Sequence, residues 1–487
     1  MAQRIVIIGA GFGGLSAAGL LAKQGHAVTV VEQLDHAGGR ATVWEHDGFR
    51  FDLGPSWYLM PDVYQRWFHQ MGTSAEAELD LRRLSPSYRV YFGARDVVDV
   101  PADLPATLDL FDTFEPGGGK KLERYLERAA YQYGVAMNEF VYRDYQRITD
   151  FFNRRMLVEG ARLNVFTNLD RYVRGFFDSD RARKVLEYSM VFLGGAPDNT
   201  PALYNIMSHV DLAMGVWYPM GGMGAVVTSM QRLAEAAGAR FAFNQPVRRI
   251  VVHDGRAVGV ETDAGIIDAD IVIANADYHH VETRLLEPRY RQYSDRYWDS
   301  RVIAPSAFIL YLGLDRPVEG LAHHTLFLQH DWMDHFNTIF RRPAWPDRPS
   351  YYVCAASKTD PGVAPAGAEN IFVLVPVAAG LEDTDAGRAR FEAMILDDLE
   401  HQLGEPIRDR IVVRRSFAHR DFTARYNAYR GTALGLAHTL RQTALFRPRH
   451  RSKTVRGLYF TGHYTHPGVG VPMTLISSQL VAQEIGA

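Results

Sequence analysis

Cysteine is almost missing from this chain, since Cys354 is the only one among 487 residues. A single thiol excludes a disulfide framework, a CxxC redox pair and a metal site built from several cysteines of one chain. Long apolar runs are missing too, because no stretch reaches the ~18 uninterrupted apolar residues of a membrane-spanning helix. The best candidate, residues 371–381, is short and contains Pro376. We therefore expect a cytoplasmic protein, attached at most to the face of a membrane.

An excess of positive charge is missing as well. The net charge is −3, whereas nucleic-acid-binding proteins are usually strongly basic, so we expect no nucleic-acid partner. With 47% hydrophobic and 22% charged residues, the chain has enough apolar surface for two or three folded domains and little long disorder. Arg4 and the apolar run after it imitate a signal peptide, but the run leads into a glycine-rich turn, and we interpret it as the first strand.

What the chain does contain, at its start, is a strand–turn–helix–strand unit. Residues 5–8 are four consecutive β-branched residues, the pattern of a strand buried on both faces. A Leu- and Ala-rich helix follows the turn, with Gly25 at its expected cap, and a second strand at residues 27–31 ends at Glu32. The turn between strand and helix consists of Gly9, Ala10, Gly11, Phe12, Gly13 and Gly14.

Each part of this unit has a physical role in binding a dinucleotide. Gly9 permits the tight turn, Gly11 lets a pyrophosphate approach the backbone, and Gly14 lets the helix pack close to the sheet. The amides and the dipole at the helix N-terminus favour phosphate. Glu32 lies at the offset where a carboxylate accepts hydrogen bonds from a ribose diol. The unit therefore predicts a dinucleotide site, with a turn that binds nothing as the alternative.

The next residues resemble the extended signature of the FAD-containing superfamily that spans amine oxidases and carotenoid desaturases. Gly38, Gly39 and Arg40 follow the second strand in one short loop, and a further strand leads to Gly54 and Pro55. The resemblance implies that this loop packs along the pyrophosphate and the flavin. Arg40 would supply a planar, permanently charged guanidinium for phosphate contact. The alternative is a surface arginine in a flexible loop.

An apolar and aromatic cluster at residues 57–61 follows the turn at Gly54 and Pro55. Beside a flavin, these side chains would line a channel for a hydrophobic substrate. Plain core packing explains the composition equally well. The sequence leaves both interpretations open.

Arginines and aromatic residues alternate over residues 142–184, within a region rich in helix formers. Helices of this composition lie in lipid headgroup layers, so the segment predicts contact with a membrane surface. An arginine-rich solvated face over an aromatic core is an equally good interpretation.

An α/β pattern returns near Tyr218. Two strands are predicted to pair across Asp254 and Gly255, a strong hairpin signal. A buried strand then ends in a turn at Asn275. In the superfamily that the chain resembles, the position of Val247 would hold the adenine through backbone contacts, and the turn at Asn275 would lie near the FAD.

Two pairs among the 18 histidines are adjacent in sequence, His279–His280 and His323–His324, and we consider them as metal ligands. Neither pair has the i, i+4 spacing of helical metal ligands. We therefore expect both pairs in surface loops and no metal site.

The C-terminal motif makes the resemblance specific. A last strand ends at Gly462, and Thr465-His466-Pro467-Gly468-Val469-Gly470-Val471-Pro472 leads into an apolar helix expected from about Thr474. This motif is similar to that of bacterial-type carotenoid desaturases, the phytoene desaturase family. The resemblance covers nearly the whole chain. It implies that Gly462, Gly470, Val471, Pro472 and Met473 lie along the flavin.

One position departs from the wider superfamily. Many of its members carry an acid shortly after the glycine of the last strand, where this chain has His463 and Tyr464. Backbone amides or water would then replace that acid. His466 is a candidate for a catalytic base, and a turn residue before Pro467 is the alternative.

The resemblance implies an α/β fold in three parts. A Rossmann-type FAD-binding domain with a parallel sheet would comprise residues 1–72, 218–285 and 450–487. A mixed-sheet substrate-binding domain would comprise residues 73–105 and 286–449. Residues 106–217 would form a helical subdomain with possible membrane contact.

The implied function is FAD-dependent desaturation of an acyclic carotenoid by hydride transfer to flavin. A hydroxycarotenoid 3,4-desaturase, or an isomerase, saturase or terminal oxygenase of the same family, remains an alternative. Outside the family the alternatives are a flavin amine oxidase and a non-catalytic prenyl-protein escort. Only one dinucleotide fingerprint exists, so we expect an external electron acceptor such as oxygen or a quinone, and a hydrophobic polyene as substrate.

Overall fold

The computed structural model of the protein describes residues 2–143 and 167–486. Its strands form one parallel sheet, one large mixed sheet and three small antiparallel ones. The helices of eight or more residues in the described ranges are Phe12–Lys23, Pro61–Met71, Leu104–Phe114, Gly118–Val135, Asp180–Glu187, Met223–Ala236, Trp332–Phe340, Asp385–Leu403, His419–Tyr426 and Val471–Gly486.

The parallel sheet has five strands drawn from distant parts of the chain. Its centre is Arg4–Ile8, whose last four residues are buried, as the run of β-branched residues predicts. In spatial order the strands are Leu458–Phe460, Ile271–Ala274, Arg4–Ile8, Ala27–Val31 and Arg240–Ala242. The carboxyl ends of all five therefore lie at one edge. That edge is where open α/β sheets bind their ligands.

Three helices cover one region of this sheet. The helix Phe12–Lys23 is buried along nearly its whole length, and it packs against both Met223–Ala236 and Val471–Gly486. The C-terminal helix begins at Val471, three residues before the predicted start. Pro472 is compatible with this earlier start, because the first turn of a helix does not need its N–H.

The mixed sheet has seven strands and a core of its own. Five of the six neighbouring pairs are antiparallel, and the one parallel pair joins His324–Phe327 to Tyr88–Gly93. In spatial order the strands are Ile411–Phe417, Ser306–Leu314, Glu369–Val377, Tyr351–Cys354, His324–Phe327, Tyr88–Gly93 and Asp96–Val100. The helix Asp385–Leu403 buries Phe391, Ile395 and Leu399 in the core beside this sheet.

Three further antiparallel sheets are small. The predicted hairpin at Asp254–Gly255 is present, and its strands form a three-stranded sheet. The strands of these sheets are Val247–His253, Arg256–Thr262 and Gly265–Asp268; Val43–His46 and Phe49–Asp52; and Leu81–Arg83 and Trp217–Pro219.

The α/β fold class is confirmed, with a parallel sheet and a separate mixed sheet. All five parallel strands fall within the three segments predicted for the FAD-binding domain, and all seven mixed-sheet strands fall within those predicted for the substrate-binding domain. The domain boundaries themselves stay predictions. Much of the arginine- and aromatic-rich segment lies outside the described residues, including Arg147, Arg154, Arg155 and Arg162. Among residues 2–143 and 167–486, the structure contains no helix with the length and hydropathy of a membrane span.

Candidate FAD and substrate site

The first glycine-rich turn packs against the turn at Asn275. The Asn275 side chain donates to the Gly9 carbonyl at 3.2 Å, and its backbone N–H donates to Ile8. A Cβ at Gly9 would lie 2.5 Å from the Asn275 carbonyl, and one at Gly14 would lie 2.0 Å from the Gly9 carbonyl. A Cβ at Gly11 would meet nothing closer than 3.4 Å. Gly9 and Gly14 therefore serve the packing of the turn, whereas Gly11 leaves its surface open to the cavity.

Glu32 ends the second strand with a buried carboxylate. One carboxylate oxygen accepts from the Ala10 N–H at 2.7 Å, and the other accepts from the Leu34 N–H at 2.9 Å. Burial raises the pKa of Glu32, and these backbone hydrogen bonds oppose that shift. The side chain joins the second strand to the first turn and also lines the cavity.

The Gly38–Gly39–Arg40 loop lies directly on the first turn. The Gly38 N–H donates to the Ala10 carbonyl at 2.9 Å, and a Cβ at Gly39 would lie 3.1 Å from the Gly11 backbone. Gly39 has φ +56°, a conformation that favours glycine. Both glycines thus allow the loop to bring Arg40 into the cavity wall.

The C-terminal motif forms a loop that a buried arginine holds in place. The Arg447 guanidinium donates to the carbonyls of His463, Tyr464 and Thr465 at 2.6–3.1 Å. Burial lowers the pKa of Arg447 to about 10, so the side chain stays charged at neutral pH. The Gly462 N–H donates to Ser477 on the C-terminal helix. Nothing in the sequence pattern singled out Arg447, because its role depends on carbonyl groups 16 to 18 residues away.

Arg40 and His463 bring the two ends of the chain together. The Nη1 atom of Arg40 lies 3.2 Å from both ring nitrogens of His463. Burial, aided by the charges of Arg40 and Arg447, holds the pKa of His463 well below its usual range, so the ring is neutral. Arg40 forms no ion pair with the residues that the structure describes, and its Nε and Nη2 atoms are buried without a hydrogen-bond partner. A half-buried guanidinium with two unsatisfied nitrogens favours an anionic or strongly accepting ligand.

A cavity of about 970 Å³ extends from these glycine-rich turns into the space between the two large sheets. Among the described residues that line it, the only Asp, Glu, Lys and Arg side chains are Glu32, Arg40 and Asp277. The Tyr464 hydroxyl donates to the Asp277 carboxylate at 2.8 Å. The rest of the wall is mostly apolar or aromatic, including Leu59, Met137, Phe140, Val191, Leu203, Ile206, Met207, Val210, Ile309, Leu374 and Phe422.

The aromatic cluster at residues 57–61 is divided between the cavity wall and the core. Trp57, Leu59 and Met60 line the cavity, whereas Tyr58 is fully buried and stacks on Tyr64 at 4.1 Å. Leu59 and Met60 both line the cavity although they are adjacent, and Met60 has a left-handed φ of +57°.

Tyr204 and His438 form a polar pair in the cavity wall that the sequence analysis missed. The Val469 N–H donates to His438 Nε2 at 2.9 Å, so the proton of this neutral ring lies on Nδ1. That proton is donated to the Tyr204 hydroxyl, 2.5 Å away. No sequence pattern signals this pair, since 234 positions separate the two residues.

The structure brings almost all of the predicted cofactor residues to this one cavity. Gly14 alone does not line it, because it packs beneath the turn. The residues that line it are Gly9, Gly11, Phe12, Gly13, Glu32, Gly39, Arg40, Gly54, Pro55, Val247, Asn275, Gly462, Gly470, Val471, Pro472 and Met473. Their contacts with FAD stay predictions.

His466 also lines the cavity, where its Nε2 atom lies 3.1 Å from the Val141 carbonyl. A catalytic role for it stays a prediction. The placement of the histidine pairs in surface loops is wrong. His323 and His324 are 5% and 0% exposed at the start of a strand, and His279 and His280 are half-buried in a short helix.

These features fit a dinucleotide with a flavin at one end. One cavity is faced by Arg40, whose Nε and Nη2 atoms lack partners, by the open surface of Gly11 and by the N-terminus of the helix Val471–Gly486. A mostly apolar space adjoins them. Fold and site thus define an FAD-dependent oxidoreductase that acts on a hydrophobic substrate.

The comparison with known sequences gives the family. The family model described as flavin containing amine oxidoreductase matches residues 12–486. The chain is 47% identical to the carotenoid 3,4-desaturase of Haloarcula japonica, over 99% of this chain and 98% of the relative. It is 34% identical to the zeta-carotene-forming phytoene desaturase of Myxococcus xanthus, over 99% and 94%. The chain belongs to this flavoprotein family, in its carotenoid desaturase branch, and the predictions of an FAD cofactor and of an enzyme acting on CH–CH groups are confirmed.

Solved structures of lower identity share the fold. An oxidoreductase from Methanosarcina mazei gives a TM-score of 0.65 at 19% identity, covering 99% of this chain and 100% of that one. A putrescine oxidase bound to putrescine gives 0.62 at 17% identity, covering 100% and 99%. These likenesses support the Rossmann-type architecture alone.

Proposed function

We propose that this chain is a desaturase that introduces the 3,4 double bond of an acyclic carotenoid. The observation that carries the proposal is the 47% identity to a carotenoid 3,4-desaturase along nearly the full length of both chains. The mostly apolar cavity that adjoins the glycine-rich turns agrees with a polyene substrate. FAD, when bound, supplies the hydride acceptor for this oxidation.

The chain's own residues supply orientation and a dry environment. Apolar side chains such as Ile206, Ile309 and Leu374 exclude water from the substrate region of the cavity. The only charged side chains of the described lining lie at its glycine-rich end, so the polyene meets none of them further in. Removing hydrogen from a hydrocarbon needs this positioning more than a strong acid or base. The pair Tyr204–His438 offers a polar contact in an otherwise apolar wall.

The product of the purified enzyme tests this proposal. Phytoene, lycopene and a 1-hydroxylated acyclic carotene are supplied separately in detergent micelles, and the products are separated by chromatography. We expect one added double bond near the chain end of lycopene or the hydroxylated carotene, with a red-shifted absorption. Conversion of phytoene alone would contradict the proposal. It would instead identify a phytoene desaturase, the activity of the Myxococcus relative at 34% identity.

We also propose that the enzyme works on the inner face of the cell membrane and passes its electrons to oxygen or a quinone. Phe446 is 54% exposed, and it lines the cavity together with Leu445 and Ala444. An exposed aromatic side chain at the edge of an apolar cavity suits entry of a lipid-soluble substrate. Co-sedimentation with anionic liposomes tests this attachment, which should weaken in Phe446→Asp and in the double variant Arg154→Glu and Arg155→Glu. Unchanged partitioning would remove it.

A further inference from the structure

Two histidines and the chain's only cysteine meet behind the wall of the cavity. His324 and Cys354 are direct partners in the antiparallel pairing of two strands, and His323 precedes His324. One ring nitrogen of each histidine and the Cys354 sulfur lie within 4.8 Å of one another. Burial is almost complete, since the three residues are 5%, 0% and 6% exposed.

Both histidines are held by one nitrogen and unsatisfied at the other. His323 Nδ1 lies 2.7 Å from the Thr359 hydroxyl, and His324 Nδ1 lies 2.7 Å from the Tyr352 hydroxyl. The Nε2 atoms of both rings are buried without a hydrogen-bond partner. Unsatisfied buried polar atoms are rare, so one on each of two histidines that adjoin a thiol calls for a ligand.

We propose that His323, His324 and Cys354 bind one thiophilic d¹⁰ cation, Cu⁺ or Zn²⁺. Two nitrogen–metal bonds and one sulfur–metal bond form, the S–H bond breaks, and its proton passes to solvent without any change of oxidation state. Ligand atoms around such an ion lie roughly 3.3–3.8 Å apart. The observed spacing therefore needs side-chain movements of only about 1 Å.

The surroundings favour this class of ion. A thiolate and two imidazoles are soft or borderline ligands, which Cu⁺ and Zn²⁺ prefer over hard cations. Cu⁺ with one thiolate is neutral, as a buried site requires, and for Zn²⁺ the nearby Asp360 carboxylate offsets the remaining charge. The bonds from Thr359 and Tyr352 orient the rings in the way that outer-shell partners of metal sites do.

The ion would brace part of the cavity wall. The Trp57 ring stacks on His324 with centroids 4.1 Å apart, and both Trp57 and Tyr352 line the cavity. Joining His324 to Cys354 would link two strands immediately behind these side chains. This role does not depend on which carotenoid the enzyme desaturates.

Metal content of the purified holoenzyme tests the proposal. Protein is treated with chelator, loaded with Zn²⁺ alone or anaerobically with Cu⁺ alone, desalted, and analysed for metal per chain. We expect one ion per chain, a rise in the unfolding temperature, and at least tenfold weaker retention in Cys354→Ala and His324→Gln. His253→Gln is the matched control, because its side chain is 78% exposed, and it should retain the wild-type amount. Retention of either ion through Cys354 supports the site and identifies the ion.

A second measurement on the wild type needs no variant. Co²⁺ in place of Zn²⁺ should give sulfur-to-cobalt charge transfer, together with bands at longer wavelength than the flavin absorption. Cys354 is the only source of such a sulfur in the chain. Less than 0.1 ion per chain for both Zn²⁺ and Cu⁺, bound Co²⁺ without the sulfur band, or equal retention by Cys354→Ala would each overturn the proposal.

Discussion

Arg40 lies against His463 at 3.2 Å, although 423 positions separate the two residues. Arg40 comes from the loop beside the first glycine-rich turn, and His463 comes from the loop that Arg447 clamps. Their contact shows that the two sequence motifs form one site. It also leaves the Arg40 charge unneutralised, because the buried imidazole is uncharged.

The glycine-rich turn predicts a contrast between two neighbouring substitutions. Gly11→Ala should fold normally, because its Cβ meets only ordinary contacts and its φ of −73° suits any residue. It should nevertheless weaken FAD binding at least tenfold, about 1.4 kcal/mol, since the methyl group projects where the pyrophosphate must approach. Gly14→Ala should instead lower stability by about 3 kcal/mol, because its Cβ overlaps the Gly9 carbonyl. Flavin titration and urea unfolding measure the two effects, and similar behaviour of both variants would contradict this assignment.

The Arg40–His463 pair predicts a change in the properties of the bound flavin. His463→Asp should form an ion pair with Arg40 and remove its free charge from the site. We expect weaker FAD binding and a flavin reduction potential lowered by on the order of 30 mV, about 1.4 kcal/mol for two electrons. His463→Asn, which is uncharged, is the control and should keep the wild-type potential. An unchanged potential in His463→Asp would show that Arg40 does not act on the flavin.

Asp211 predicts a pH dependence of stability. Its carboxylate accepts from the hydroxyls of Tyr88 and Tyr188 at 2.8 and 3.0 Å, and burial raises its pKa to about 7. The folded protein therefore holds this proton more tightly than the unfolded chain does. The stabilisation that this proton contributes is fully present below about pH 4 and is lost as the pH rises to about 7. Asp211→Asn should raise the free energy of unfolding above pH 7 by up to a few kcal/mol and leave it almost unchanged near pH 4.

Urea unfolding at pH 5 and pH 8.5 measures this difference. Asp109→Asn is the control, because that side chain is exposed on the helix Leu104–Phe114 and should change stability at neither pH. An equal effect of Asp211→Asn at both pH values would contradict the shifted pKa.

The apolar cavity predicts a selective loss of carotenoid conversion. Met207→Glu places an unpaired carboxylate in the cavity wall. Binding of the polyene would remove water from this carboxylate, and a hydrocarbon offers no hydrogen bond in return. We expect kcat/KM to fall at least tenfold while FAD retention stays at the wild-type level. Ile266→Glu is the matched control, because Ile266 is 58% exposed, does not line the cavity and should leave activity unchanged. Full activity of Met207→Glu would place the substrate elsewhere.

Local patterns predicted much of the fold because their physics is local. The first strand, its turn and its helix depend on residues within a span of about 30 positions, and the hairpin at Asp254–Gly255 depends on its turn alone. The surroundings of Arg447 and of the pair Tyr204–His438 depend on segments that meet only in the folded chain. Cys354 and His324 likewise meet only through strand pairing, which is why a search for histidines at helical spacing missed them.

Anaerobic mixing of the FAD-loaded enzyme with a single acyclic carotenoid tests the central claim most directly. If the two glycine-rich turns and the apolar cavity form one desaturase site, the flavin absorption should bleach while the carotenoid absorption moves to longer wavelength, one double bond for each flavin reduced. Flavin that stays oxidised with phytoene, lycopene and the hydroxylated carotene alike, yet is bleached by an amine, would contradict the account.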